Sequence, residues 1–207
     1  MLPDPEDFCR LILLRHPELA ADHQHRAVGS GAAELSRRGR AKVLDWLQVL
    51  EGVQVDAVFA ADVPQCREPA QAIATQKGLE LGLDARLLDQ QLGEWQGRPW
   101  DEIAQQNPER LRDFFAEFGE HLPPGGESLG QSLERVLGWW KDQAPTGAGR
   151  TLAVVLAGAL ISSFTAAMLG MRLSRSISLT LPHAGIGILD VYANGVKLAA
   201  WNVEALS

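Results

Sequence analysis

The run FCRLILLR, residues 8–15, constrains the fold more than any other stretch of the chain. It is nearly all apolar toward its end, as a strand covered on both faces must be. Such a strand belongs in the middle of a sheet with a layer on either side. TLAVVLA, residues 151–157, has the same character, and the shorter VDAVFA (55–60) and LELGL (79–83) read as further strands. Segments with helical spacing lie between them. LSRRGRAKVLDWLQVLE (35–51) has Ser36 as its expected N-cap and Gly52 as its expected stop. VPQCREPAQAIATQKG (63–78) has Asp62 as N-cap and Pro64 in its first turn, with Pro69 awkward inside it. SLGQSLERVLGWWKDQ and ALISSFTAAMLG complete the helical set. The last stretch, from SISLT onward, alternates like strands and closes on a hairpin around Asn194-Gly195. Alternating β and α segments predict an α/β fold: a three-layer α/β/α sandwich with a mainly parallel sheet and an antiparallel edge. No repeat or linker breaks the chain, so one domain is expected over 1–207. A lid-like insertion at about 84–127 would lie over the carboxyl ends of the strands, where open α/β sheets bind ligands.

Composition narrows the function classes. The 207 residues carry a formal charge of −7, and an acidic chain is a poor general binder of nucleic acid or anionic membrane. A local basic pocket remains open. Cys9 and Cys66 have no metal-type spacing and read as reduced thiols of a cytoplasmic protein. The start, MLPDPEDFCR, is unlike a signal peptide. The longest apolar run is broken by Gly158 and Gly170, and reads as a strand followed by a helix, not as a membrane span.

The first run ends in Arg15-His16-Pro17, and LLRHPE resembles the signature of the histidine phosphatase superfamily, which includes the phosphoglycerate mutases. ELSRRGR, LLDQQLGEWQG, PPGGES and LAVVLAGALI resemble four further family segments, in the right order. The proline after Arg-His, the RAVG loop and GEWQGRPWDEI bring the resemblance closest to the α-ribazole phosphatase-like branch. It implies a phosphoglycerate mutase-like fold and no cofactor or metal. It also implies a phosphomonoesterase in which a histidine attacks phosphorus and a carboxylic acid protonates the leaving oxygen. Two arginines and a second histidine would hold the phosphoryl oxygens.

Carried over by position, Arg15 matches the first arginine, His16 the nucleophile and Asp89 the proton donor, one methylene shorter than the family's glutamate. The second-arginine position is Gln65, preceded by Ala60 and Ala61 where the family has paired serines. The second-histidine position is Ala157. Arg67 lies two residues past Gln65, about 200° around a helix, and so does not simply take its place. Losing one preorganised donor costs roughly 10²–10³ in rate, and losing two on the order of 10⁴. The expectation is therefore a degenerate member, catalytically impaired or inactive, that binds a small phosphorylated ligand or a protein partner. Two alternatives stay open. One is an active phosphomonoesterase with a rebuilt pocket, drawing substitute donors from Arg26, Arg67 or His183. The other is a structural or interaction protein with an empty cleft. A homodimer is compatible with all three. His23, His25 and Arg26 read as a solvated loop ahead of a metal or anion site. Trp95, Trp100, Trp139 and Trp140 read as core and lid packing, and DFFAEF (113–118) as an amphipathic lid helix.

Overall fold

A computed structural model of the chain describes residues 8–116, 121–143 and 149–203. A six-stranded sheet runs through it. Its strands are β1 (Phe8–Arg15), β2 (Ala57–Ala60), β3 (Leu81–Leu83), β4 (Thr151–Leu156), β5 (Ile186–Tyr192) and β6 (Gly195–Trp201). The spatial order is β3-β2-β4-β1-β5-β6. β1, β2, β3 and β4 pair in parallel, while β5 runs antiparallel to both β1 and β6. The helices are α1 (Arg37–Val49), α2 (Pro64–Lys77), α3 (Trp100–Gln106), α4 (Pro108–Ala116), α5 (Leu129–Gln143) and α6 (Gly158–Met168).

The layers follow from chain direction. The steps β1 to β2 to β3 move toward one edge, so right-handed crossovers put α1 and α2 on the same face. The step back from β3 to β4 puts α5 on the other face. The packing agrees: α1 lies against α2, and α5 against α6. Leu11, Ile12, Leu13, Leu14 and the β4 run Leu152–Leu156 are at most 1 % exposed, as strands covered on both faces must be. Each such aliphatic side chain contributes roughly 1.5–3 kcal/mol. Arg10, the polar exception in β1, faces Asp190 across the β1–β5 ladder and pairs with it at 2.7 Å.

The local signals had mixed outcomes. Ser36 caps α1 by accepting from the Gly39 amide at 2.8 Å, and Pro64 opens α2. α1 stops at Val49, before Gly52, and the Lys77 ammonium at the end of α2 gathers the Leu50, Glu51 and Val53 carbonyls just past it. Val63, not Asp62, stands at the α2 N-cap; the Asp62 carboxylate pairs with Arg67 at 2.8 Å instead. Pro69 is buried inside α2 without ending it. Leu173–Leu179, which alternates like a strand, is a 3₁₀ helix packed on α6. The hairpin joins β5 to β6 through Ala193 and Asn194.

The segment between β3 and α5 has a small core of its own. Ala27, Leu92, Trp95 and Ile103 are buried together, with Trp100, Leu111 and Phe114 packed on them. Of DFFAEF, residues 113–116 end α4, and Glu117 and Phe118 lie outside the described residues.

Candidate active site

Chain connections diverge at the carboxyl ends of β1 and β4, since β1 leads toward one edge of the sheet and β4 toward the other. Ligands of open α/β sheets bind at such a point. A cavity of about 580 Å³ opens there. Its floor holds Arg15, His16, Asp89 and Ala157, and Trp100, Phe114 and Phe115 from the segment between β3 and α5 line its mouth. Sheet register sets the floor: Arg15 stands opposite Leu156, and the His16 amide donates to the Leu156 carbonyl at 3.0 Å.

His16 is buried, and its Nδ1 lies 2.9 Å from the Pro17 carbonyl oxygen. A carbonyl only accepts, so Nδ1 carries the proton and Nε2 keeps its lone pair. Desolvation lowers the imidazole pKa to about 4, with the neighbouring His183 and Arg15 adding to the effect against the Pro17 bond. The ring is thus neutral at ordinary pH, with Nε2 free to attack.

Among the described residues Arg15 has no carboxylate partner in hydrogen-bond contact. One terminal nitrogen donates to the Leu181 carbonyl, the other lies 3.4 Å from His183 Nε2, and Nε is buried with no partner. Desolvation lowers its pKa, partly offset by the Asp89 charge. The guanidinium crosses Gly158, where a Cβ would sit 2.7 Å from Arg15 Nε. Ala157, Gly158 and Ala159 border the cavity at the start of α6, which has no side-chain cap. The first amides of a helix lack partners within it and favour anions.

Asp89 completes the floor. Its Oδ1 is buried and unbonded, and desolvation raises the carboxyl pKa to about 6 against the pull of Gln90, Arg135 and Arg15. Arg135 on α5 holds the strap that carries it, donating to the carbonyls of Arg86 and Leu88 and pairing with Glu127. Glu127 in turn accepts from the Gln91 amide at 2.9 Å. Sequence reasoning assigned neither Arg135 nor Gly158 to the site. The glycine was visible in VLAGAL, whereas nothing near Arg135 signals that its partners are carbonyls more than 40 residues away.

The other expected positions divide. Gln65 is buried, but both ends of its amide serve the 31–33 loop: Oε1 accepts from the Ala33 amide at 2.9 Å and Nε2 donates to the Gly31 carbonyl at 2.8 Å. It does not line the cavity, in contrast to the phosphate-binding place expected for it. Arg67 is exposed, bound to Asp62 and outside the cavity, so it offers no substitute donor. Arg26 borders the mouth with His23 and His25, and donates to the Gly97 carbonyl at 2.9 Å. His183 borders the cavity with its ring 5.2 Å from that of His16. Trp100 lines the mouth, while Trp95 is buried beneath it. Among the described residues no group of three or more His, Cys, Asp or Glu could hold a metal ion, and no helix is long and apolar enough to cross a membrane.

Comparison with known proteins places this geometry. Phosphoserine phosphatase 1 of Hydrogenobacter thermophilus is 27% identical over 182 residues, 88% of this chain and 86% of that protein. The structure of a mycobacterial glucosyl-3-phosphoglycerate phosphatase in complex with inorganic phosphate superposes with a TM-score of 0.83 at 26% identity, covering 96% of this chain and 99% of that one. The α-ribazole phosphatase of Shigella flexneri shares the fold with a TM-score of 0.85 at 19% identity, over 96% and 98% of the two chains. The family model of the histidine phosphatase superfamily (branch 1) matches residues 11–204, and the chain belongs to that superfamily.

Proposed function

We propose that the chain hydrolyses phosphomonoesters through a phosphohistidine at His16, more slowly than a site with four phosphate-contacting side chains. The observation that carries this reading is the His16 ring itself, neutral and with Nδ1 held by the Pro17 carbonyl, so that Nε2 faces its work unprotonated. Similarity to a phosphoserine phosphatase and to a glucosyl-3-phosphoglycerate phosphatase supports the reaction class.

The phosphoryl group sits against Arg15 and the first amides of α6. His16 Nε2 forms a bond to phosphorus as the ester P–O bond breaks, and the leaving oxygen takes the Asp89 carboxyl proton. The resulting Asp89 carboxylate then takes a proton from water as that water attacks phosphorus and the bond from phosphorus to His16 Nε2 breaks. Inorganic phosphate leaves, and His16 returns to its neutral form. A carboxyl with a pKa raised to about 6 suits a proton donor. The rate requires neutral His16 and protonated Asp89. It therefore rises as pH climbs past about 4 and falls as pH passes about 6.

A second reading, a phosphate binder that does not turn over, draws support from Gln65, whose amide is committed to backbone, and from Ala157, which has no donor to offer. p-Nitrophenyl phosphate assayed from pH 4 to 8 separates the two. Turnover with an acid-side optimum that disappears in His16→Ala supports hydrolysis, and sulfate binding without His16-dependent turnover establishes the binder.

A further inference from the structure

We infer that His183, at the rim of the cavity, supplies the second imidazole for a phosphoryl group, as an imidazolium whose Nε2–H donates to a phosphoryl oxygen beside Arg15. The inference rests on the reading of this cavity as a phosphate site.

The placement of the ring is built into the fold. The Pro182–Gly185 turn is tied back to the end of β1: the Ala184 amide donates to the Arg15 carbonyl at 3.1 Å, and the Arg15 amide to the Gly185 carbonyl at 3.0 Å. From the other side, Trp46 Nε1 on α1 donates to the Ala184 carbonyl at 2.8 Å. Ala184 is held at φ +62°, a conformation that a non-glycine residue keeps only where its surroundings over-determine it. This turn aims one side chain at the cavity, and it is His183.

The chemistry of the ring fixes its role. His183 Nδ1 lies 3.2 Å from the His16 carbonyl oxygen, which only accepts, so Nδ1 carries a proton. Nε2, on the far side of the ring, lies 3.4 Å from an Arg15 terminal nitrogen, which only donates. With the cavity free of anion, Nε2 is therefore the acceptor of a neutral ring. A phosphoryl dianion on Arg15 reverses this preference, since a negative charge favours the imidazolium and gives Nε2 a proton to donate. His183 thus stands where it can offset the donor absent at Ala157, from a different strand connection.

The titratable and charged groups around it are Arg15 and the neutral His16 at the β1 end, Glu18 just beyond, and Lys42 and Asp45 on α1, which pair with each other at 2.6 Å. Partial desolvation, then the Arg15 charge, hold the His183 pKa below its usual value. Anion binding should therefore draw a proton onto this ring from solvent. Asp89, with its pKa raised to about 6, also titrates near a bound anion, so a variant is needed to isolate His183.

Sulfate is a suitable probe because it stays dianionic across the range. Its affinity is measured by calorimetry from pH 5 to 7.5, alongside imidazole NMR titration of His183. Wild-type protein should bind sulfate more tightly as pH falls, with the His183 pKa raised by sulfate. His183→Ala should weaken binding roughly 10- to 100-fold at pH 6. His183→Gln, which keeps an N–H donor, should retain more affinity but lose His183's part of the pH dependence. Adding Ala157→His to His183→Ala should restore binding. Equal affinity in wild type and His183→Ala, or an unchanged His183 pKa on sulfate addition, overturns the inference and leaves the phosphate site standing. If wild type and Arg15→Ala alike bind no sulfate, the site reading falls and the inference with it.

Discussion

Two places in the molecule began from the same chemical expectation and ended differently: the carboxyl end of β1, with Arg15 and His16, and the start of α2, with Gln65. At the β1 end, polar atoms are left over. Arg15 Nε and Asp89 Oδ1 are buried without partners, and His16 Nε2 has a lone pair free. At the start of α2 nothing is left over, since Gln65 uses donor and acceptor on the loop backbone at 2.8 and 2.9 Å. Buried polar groups normally find partners, and two that lack one, Arg15 Nε and Asp89 Oδ1, belong to side chains that line the same cavity. At Gln65 the protein has completed itself. Gln65 thus serves the 31–33 loop, while Arg15, His16 and Asp89 line the cavity.

Substitutions test this contrast. The largest effect should come from His16→Ala, which removes the nucleophile and should cut phosphomonoester turnover by roughly 10³-fold or more with little change in Tm. Asp89→Asn should follow, with about a 10²–10⁴-fold loss in rate and loss of the descending limb of the pH profile. Its stability effect has the opposite sign. The carboxyl pKa is raised on folding, from 3.8 to about 6. The stability it contributes is therefore full below about 3.8 and lost as pH rises through about 6. Asp89→Asn should raise Tm at pH 8 relative to wild type and change it little at pH 4, as calorimetry would show.

Gly158→Ala should be intermediate. Its Cβ would press on Arg15 at 2.7 Å, so sulfate affinity should fall and overpacking should cost roughly 1–3 kcal/mol. At Gln65 the signs separate. Gln65→Arg should lower stability by roughly 1–3 kcal/mol, because a guanidinium has no acceptor for the Ala33 amide. A Gln65→Arg protein that keeps its Tm would break the contrast. The smallest effect should come from Arg67→Ala, which removes an exposed pair with Asp62 and should shift stability by under about 1 kcal/mol without touching turnover.

Much of the architecture was legible in the sequence because it rests on local patterns: the apolar β1 and β4 runs, the Ser36 cap, Pro64 at the start of α2 and the Asn194-Gly195 turn. Where a distant partner decided the local outcome, the pattern was silent. Lys77 gathers the carbonyls just past α1, and the alternating stretch from Ser176 begins inside the 3₁₀ helix 173–179, which packs on α6. The site divides in the same way. Arg15, His16 and Asp89 follow motif positions and share one cavity. The use of Gln65 depends on two backbone groups in a loop that carries no side-chain signature, and His183 reaches His16 across 167 residues because β5 lies beside β1.

The most direct test of the central claim is rapid quenching of the protein with ³²P-labelled phosphomonoester at pH 5, followed by mapping of any acid-labile, alkali-stable label. A transient phosphohistidine at His16, lost in His16→Ala and formed as fast as the steady-state turnover requires, is the expected result. Phosphate release at an undiminished rate in His16→Ala, or no label in a protein that binds sulfate, would contradict it.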